Sequence, residues 1–260
     1  MQEVFVKGAC KGDAEVVRAL LADPRGDPAA SDNEAIQLAA AWGHAEVVRA
    51  LLADPRVDPA ANENYAIRRA SFRGHAEVVR ALLADPRVDP TAYNNFAIRM
   101  AYLQNQAEMM RALLADSRVD PAVNDNAAIR VASKLGHAEV VRALLADPRV
   151  NPAANDNGAI RWASANGRAE AVRVLLADPR VDPRVAIQNS TSECARIIAS
   201  VARGGIEQYY DLFEKHHPDI AREYQARLRQ CYALAWVATQ ECSWIDVVEP
   251  VVKRLKKLLL

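Results

Sequence analysis

Three histidines, His44, His75 and His137, each open the tripeptide His-Ala-Glu. A histidine two residues ahead of a glutamate can place a metal ligand beside a general acid–base group. Zinc-dependent deamination uses that pairing, but only with a P-C-x-x-C segment that supplies the remaining ligands. The cysteines here, Cys10, Cys194, Cys231 and Cys242, form no CxxC pair. Two further copies of the same stretch carry Gln106 and Arg168 where the histidine stands, replacements that a ligand or base would not tolerate. The histidines therefore read as helix-start residues. His216 and His217 are adjacent, followed by Asp219; neighbouring side chains on a helix point apart, which argues against a shared metal. No GxGxxG, Walker or GxSxG pattern occurs, and Gly204-Gly205 reads as a turn. No catalytic residue, metal site or cofactor is expected, and the chain reads as a non-enzyme.

The totals narrow the classes further. Of 260 residues, 51% are hydrophobic, enough for a large core. Lysine plus arginine equals aspartate plus glutamate at 33 each, so no net field draws in nucleic acid or acidic lipid. The sparse cysteines fit reduced thiols rather than a disulfide framework. The N-terminus has no apolar signal region and no apolar run reaches the length of a membrane span. The expectation is a monomeric cytoplasmic protein with no nucleic acid and no membrane among its partners. The basic, amphipathic ending VVKRLKKLLL reads as a capping helix with solvated lysines.

The organising feature is a repeat. The stretch GHAEVVRALLADPRVDPAANENYAIRRASFR, Gly43 to Arg73, starts again at Gly74, Asn105, Gly136 and Gly167, each 31 residues on, and an earlier copy starts at Gly12. In the template copy, Ala66, Ile67 and Ala70 share one side of a short helix that opens after Asn64, a candidate N-cap. Gly74 ends it in a left-handed C-terminal turn. A second helix runs from Ala76 to about Ala84; only Glu77, Arg80 and Ala84 form an outer stripe. The connector Ala-Asp-Pro-Arg-Val-Asp-Pro, braced by Pro86 and Pro90, leads to the next copy. Helices this short do not persist alone, so stacked neighbours must supply the stability. The expected fold is an all-α helical-repeat solenoid. About six clear repeats occupy 1–183, a degenerate seventh 184–217, and a helical C-terminal cap 218–260. In the seventh, Ala199, Ser200, Gly204 and Glu207 match Ala70, Ser71, Gly74 and Glu77. The cap is expected to hold a helix from about Asp219 to Thr239 and another from about Ser243 to Leu260, kinked at Pro250.

Gly74, His75, Glu77, Val78 and Val79, after the alanine-bearing helix Tyr65 to Ser71, resemble the ankyrin repeat, whose second helix opens Gly-His-x-Glu-Val-Val. The period of 31 and the Asp-Pro-Arg-Val-Asp-Pro segment depart from the usual unit; the resemblance with this connector implies tight proline-braced loops in place of projecting β-hairpins. Tetratricopeptide, HEAT and armadillo patterns fit poorly.

Positions where near-identical copies disagree are the most informative. The two residues before each glycine vary: Ala41 and Trp42, Phe72 and Arg73, Leu103 and Gln104, Lys134 and Leu135. So do Tyr65 and Phe96 at the head of the first helix, and Arg69 and Met100 four residues on. The ankyrin resemblance implies that these positions line a concave groove that grips a protein partner. Aromatic residues and arginine are frequent hot-spot types. The expected function is a protein–protein interaction scaffold. The alternative is an adaptor whose C-terminal helices recruit a second machine such as a ubiquitin ligase.

Overall fold

A computed structural model describes residues 2–188, 190–201 and 210–226. The chain forms two compact units, 1–159 and 160–260. Among the described residues every regular element is helical, and no strand forms. The first unit contains five helix pairs: α1 (Gln2–Lys11) with α2 (Ala14–Ala22), α3 (Ala30–Trp42) with α4 (Ala45–Leu52), α5 (Ala61–Arg73) with α6 (Ala76–Leu83), α7 (Ala92–Leu103) with α8 (Ala107–Leu114), and α9 (Val123–Leu135) with α10 (Ala138–Leu145). First helices pack on first helices (α1 on α3, α3 on α5, α5 on α7, α7 on α9) and second helices on second helices from α2 through α10, so this unit has two helical layers.

The core between the layers follows from the sequence. The first helices α3, α5, α7 and α9 each give two alanines and an isoleucine, such as Ala66, Ile67 and Ala70, and the second helices α4, α6, α8 and α10 give Val78, Val79 and Leu82 or their equivalents, all essentially inaccessible. Of the apolar side chains in the first pair, only Phe5, Ala9 and Val17 are buried to that degree. Each large apolar side chain buried this way contributes about 1.5–3 kcal/mol. The small alanines set the close approach of successive first helices. Glu77, Arg80 and Ala84 remain exposed as the pattern requires. The outer layer is laced by Arg49 to Glu77 at 3.7 Å, Arg80 to Glu108 at 3.4 Å and Arg111 to Glu139 at 3.6 Å.

The joint between paired helices is a left-handed turn. Gly74 has φ 80° and ψ 22°, and the His75 N–H donates to the Ala70 carbonyl at 2.9 Å, closing the end of α5. Asn105 adopts the same conformation at φ 56°, which asparagine tolerates better than other side-chain-bearing residues. His44, His75 and His137 occupy the N-cap positions of α4, α6 and α10, so they do start helices, but their rings do not cap those helices. The rings reach back one copy instead: His44 Nε2 bonds the Cys10 carbonyl at 2.8 Å, His75 Nε2 the Ala41 carbonyl at 3.2 Å, and His137 Nδ1 the Tyr102 carbonyl at 2.8 Å.

The entry to each first helix corrects one expectation. Asn64 does not cap α5 with its side chain. It ends a run of three left-handed residues, Asn62, Glu63 and Asn64, at φ 53°, 56° and 58°, closed by Asn64 N–H to the Ala60 carbonyl at 2.8 Å. The Asn64 side-chain oxygen accepts from the Asp89 N–H, one connector further on, at 2.7 Å. Asn33 and Asn126 make the same bond to Asp58 and Asn151. A full left-handed turn is costly for L-residues, and this chain fills it mainly with asparagine and aspartate, the types that bear it best.

The connector is held by charge as well as by proline. Arg87 grips Asp85 through Nε at 3.0 Å and Nη2 at 2.6 Å, and its Nη1 donates to the Val57 carbonyl of the preceding connector at 2.7 Å. Arg56, Arg118 and Arg149 repeat this, reaching the carbonyls of Gly26, Val88 and Val119. The result is an arginine ladder linking successive connectors where a hairpin would pair strands. The hydrogen bond from Arg87 holds the Asp85 carboxyl below the usual carboxylate range, and Asp54, Asp116 and Asp147 are lowered in the same way. Val88 and Pro90 are buried beneath the loop.

In the second unit α12 (Ala169–Leu176) packs on α14 (Ser192–Val201), and the short α13 (Arg184–Ile187) touches both α14 and α15 (Tyr210–His216). The helix α11 (Ala154–Ala165) precedes them. His217 is buried; its Nε2 lies 2.8 Å from the Ile187 carbonyl and 3.0 Å from Ser190 Oγ. Burial raises the Cys194 thiol pKa. The helix expected from Asp219 begins at 218 and is described to 226. Its remainder, the 243–260 helix with Pro250, and the matches at Gly204 and Glu207 lie outside the described residues.

Candidate functional site

The exposed side of the first-helix layer in the first unit carries the candidate residues. In α5 the buried set is Ala66, Ile67, Ala70 and Ser71, which turns Tyr65, Arg68, Arg69, Phe72 and Arg73 to the opposite side at i, i+3, i+4, i+7 and i+8. The same register in α3, α7 and α9 gives four parallel rows. Trp42 is 52% exposed, Phe72 49%, Leu103 41% and Leu135 37%. Apart from Val16, every exposed large apolar side chain among the described residues lies on a first helix. Exposed apolar residues scattered singly are ordinary on a protein surface, whereas these are concentrated on one helical layer.

The structure places the sequence-predicted residues in two groups. Trp42, Phe72, Arg73, Leu103, Gln104, Lys134 and Leu135 are exposed where α3, α5, α7 and α9 end. Tyr65, Arg69, Phe96 and Met100 sit further back along the same helices and are half-buried. Stacking occurs both between copies and within them. The Arg73 guanidinium lies 4.7 Å from the Trp42 ring centroid, and Arg69 lies 5.6 Å from that of Tyr65. Tyr93 meets Phe96 edge-on at 6.2 Å. Gln104 accepts from Gln106 through its side-chain oxygen at 2.6 Å.

Sequence reasoning passed over Arg68, Arg99 and Arg130, because that position changes little from α3 to α9, with Gln37 in α3 the one exception. Their spacing, three residues after Tyr65, Phe96 and Ala127, would have put them on the same face. Arg68 lies 4.6 Å from the Tyr93 ring and donates to the carbonyls of Asn62 and Glu63, both at 3.0 Å. Arg130 clamps Asn124 and Asp125 in the same manner. In α5 and α9 these bonds fix the left-handed turn that sets where the helix begins.

Electrostatically the face is one-sided. From the head of each first helix to its last residue or C-cap, α3 to α9 carry Arg68, Arg69, Arg73, Arg99, Arg130 and Lys134 against the single acid Glu34. Further acids lie in the left-handed turns that open α3, α5 and α9 (Asp32, Glu63 and Asp125), on the connectors and on the second helices. Among the described residues no group of three or more His, Cys, Asp or Glu is placed to hold a metal ion.

A family model for ankyrin repeats (three copies) matches residues 6–94 and again 95–189. The chain belongs to the ankyrin-repeat family. Ankyrin repeats are in general protein–protein interaction modules. A search of curated proteins finds no match to the chain. Among the described residues no helix is long and apolar enough to cross a membrane. In this ankyrin array the β-hairpin position is filled by the left-handed turn and the arginine-held connector.

Proposed function

We propose that the chain is a non-enzymatic scaffold that binds a protein partner through the exposed face of α3, α5, α7 and α9, the groove side of the ankyrin array. The observation that carries this is the gathering of exposed Trp42, Phe72, Leu103 and Leu135 with arginines on one helical layer, against an outer layer whose charges pair with one another. A surface held by packed neighbours is pre-organised and loses little entropy on binding. The division into six units through 183, a seventh over 184–217 and a cap over 218–260 belongs to the same proposal. Affinity capture with the wild-type chain and a Phe72→Ala/Arg73→Ala variant tests it. The variant should keep its fold by circular dichroism and lose the partner; equal recovery by both would count against the proposal.

A further inference from the structure

Arginines in the first unit are almost all engaged. Arg18, Arg25, Arg49, Arg56, Arg80, Arg87, Arg111, Arg118, Arg142 and Arg149 each have a carboxylate within ion-pair distance, and Arg68 and Arg130 bond backbone carbonyls. Three stand apart. Arg69, Arg73 and Arg99 have no carboxylate or carbonyl partner among the described residues, and all three lie on α5 and α7. Arg69 Nε is buried and makes no hydrogen bond. In a chain with no net charge, unused guanidinium groups collected on one face are a local excess that a ligand can complement.

We infer that this face takes an acidic peptide segment of a protein partner, with aspartate or glutamate side chains set among apolar ones. The inference rests on the binding face proposed above and adds the chemistry of its ligand. Guanidinium groups offer a planar fork that matches carboxylate bidentately. Two of the three are already oriented, Arg73 on Trp42 at 4.7 Å and Arg69 on Tyr65 at 5.6 Å, so less side-chain freedom is lost on binding. The neighbouring Phe72, Leu103 and Met100 supply apolar contact between the charges. That mixture favours a peptide over a nucleic acid strand, whose binding depends on a continuous track of cations along its phosphates.

The test pans a displayed library of random twelve-residue peptides on the intact chain and then measures recovered peptides by fluorescence anisotropy. The recovered pool should be enriched several-fold in aspartate and glutamate over lysine and arginine. Binding should fall at least tenfold on Arg69→Gln/Arg73→Gln or on replacing the peptide acids by amides, and should weaken with salt. Arg25→Gln should leave it unchanged. A pool without acidic bias, no enrichment at all, or tighter binding of a twelve-nucleotide single strand than of any peptide would each overturn the inference. Failure of the binding face itself shows differently: acidic peptides would be recovered, yet Trp42→Ala and Phe72→Ala would bind them as tightly as wild type, which also overturns the inference.

Discussion

Arg73 and Trp42 close successive first helices, and the guanidinium of one lies 4.7 Å from the ring centroid of the other. The pair joins two copies across the exposed face. An exposed cation–π contact is worth about 0.5–1 kcal/mol. A double-mutant cycle over Trp42→Ala and Arg73→Ala, read by urea unfolding, should give a coupling of that size. A coupling indistinguishable from zero would show that the two side chains do not stack in solution.

The connector arginines should matter far more than their surface position implies. Arg87→Ala removes a charge-assisted bond to the Val57 carbonyl and frees Asp85 from its clamp. A loss of about 1.5–3 kcal/mol is expected from the urea midpoint. Arg25 grips only its own Asp23 at an exposed site, so Arg25→Ala should leave the urea midpoint essentially unchanged. Equal effects at both positions would mean that the ladder between connectors contributes nothing.

Acid should weaken the array through the same groups. Asp54, Asp85, Asp116 and Asp147 have folded-state pKa values lowered chiefly by hydrogen bonds from Arg56, Arg87, Arg118 and Arg149. A lowered folded value means that each carboxylate stabilises fully above its unfolded pKa of about 3.9 and loses that contribution as pH falls from there through the folded value. Tm should therefore be nearly level between about pH 7 and 5 and drop below about pH 4. Asp85→Asn should have a lower Tm at neutral pH and a shallower acid decline. A decline as steep as wild type would remove Asp85 as a cause.

Ser71 and Ser133 are fully buried with hydroxyls that have no hydrogen-bond partner, and Ala40 occupies the equivalent place in the preceding copy. An unsatisfied buried hydroxyl costs about 1–3 kcal/mol. Ser71→Ala should leave stability unchanged or raise it by about 1 kcal/mol. Destabilisation of that size instead, measured calorimetrically, would show that the hydroxyl is bonded in solution.

The helices and their joints were legible because period and chemistry agree: Gly74 ends α5 and the apolar run Val78, Val79, Leu82 faces inward, as local pattern alone requires. The entry turn was not. Asn64 was read as a cap because asparagine before an apolar run usually serves one, yet its side chain satisfies an N–H in the next copy, a partner that only the stacked array supplies. The composition of the triplets, such as Asn-Asp-Asn at 124–126, was the available sign, since these residues bear left-handed dihedrals at least cost. The exposed face was found through variation between copies, which picked out Trp42 and Phe72 but was blind to Arg68, Arg99 and Arg130. Residues that change little, on a face that otherwise varies, are visible only once helical register is imposed.

Site-specific photocrosslinking tests the proposed face most directly. Benzoylphenylalanine placed at position 72 lies on the first-helix face, and at position 80 on the outer helix face of the same repeat pair. Irradiated in the presence of the captured partner, the chain labelled at 72 should yield a crosslinked protein and the chain labelled at 80 should not. Crosslinking at 80 with none at 72 would contradict the assignment of the binding surface.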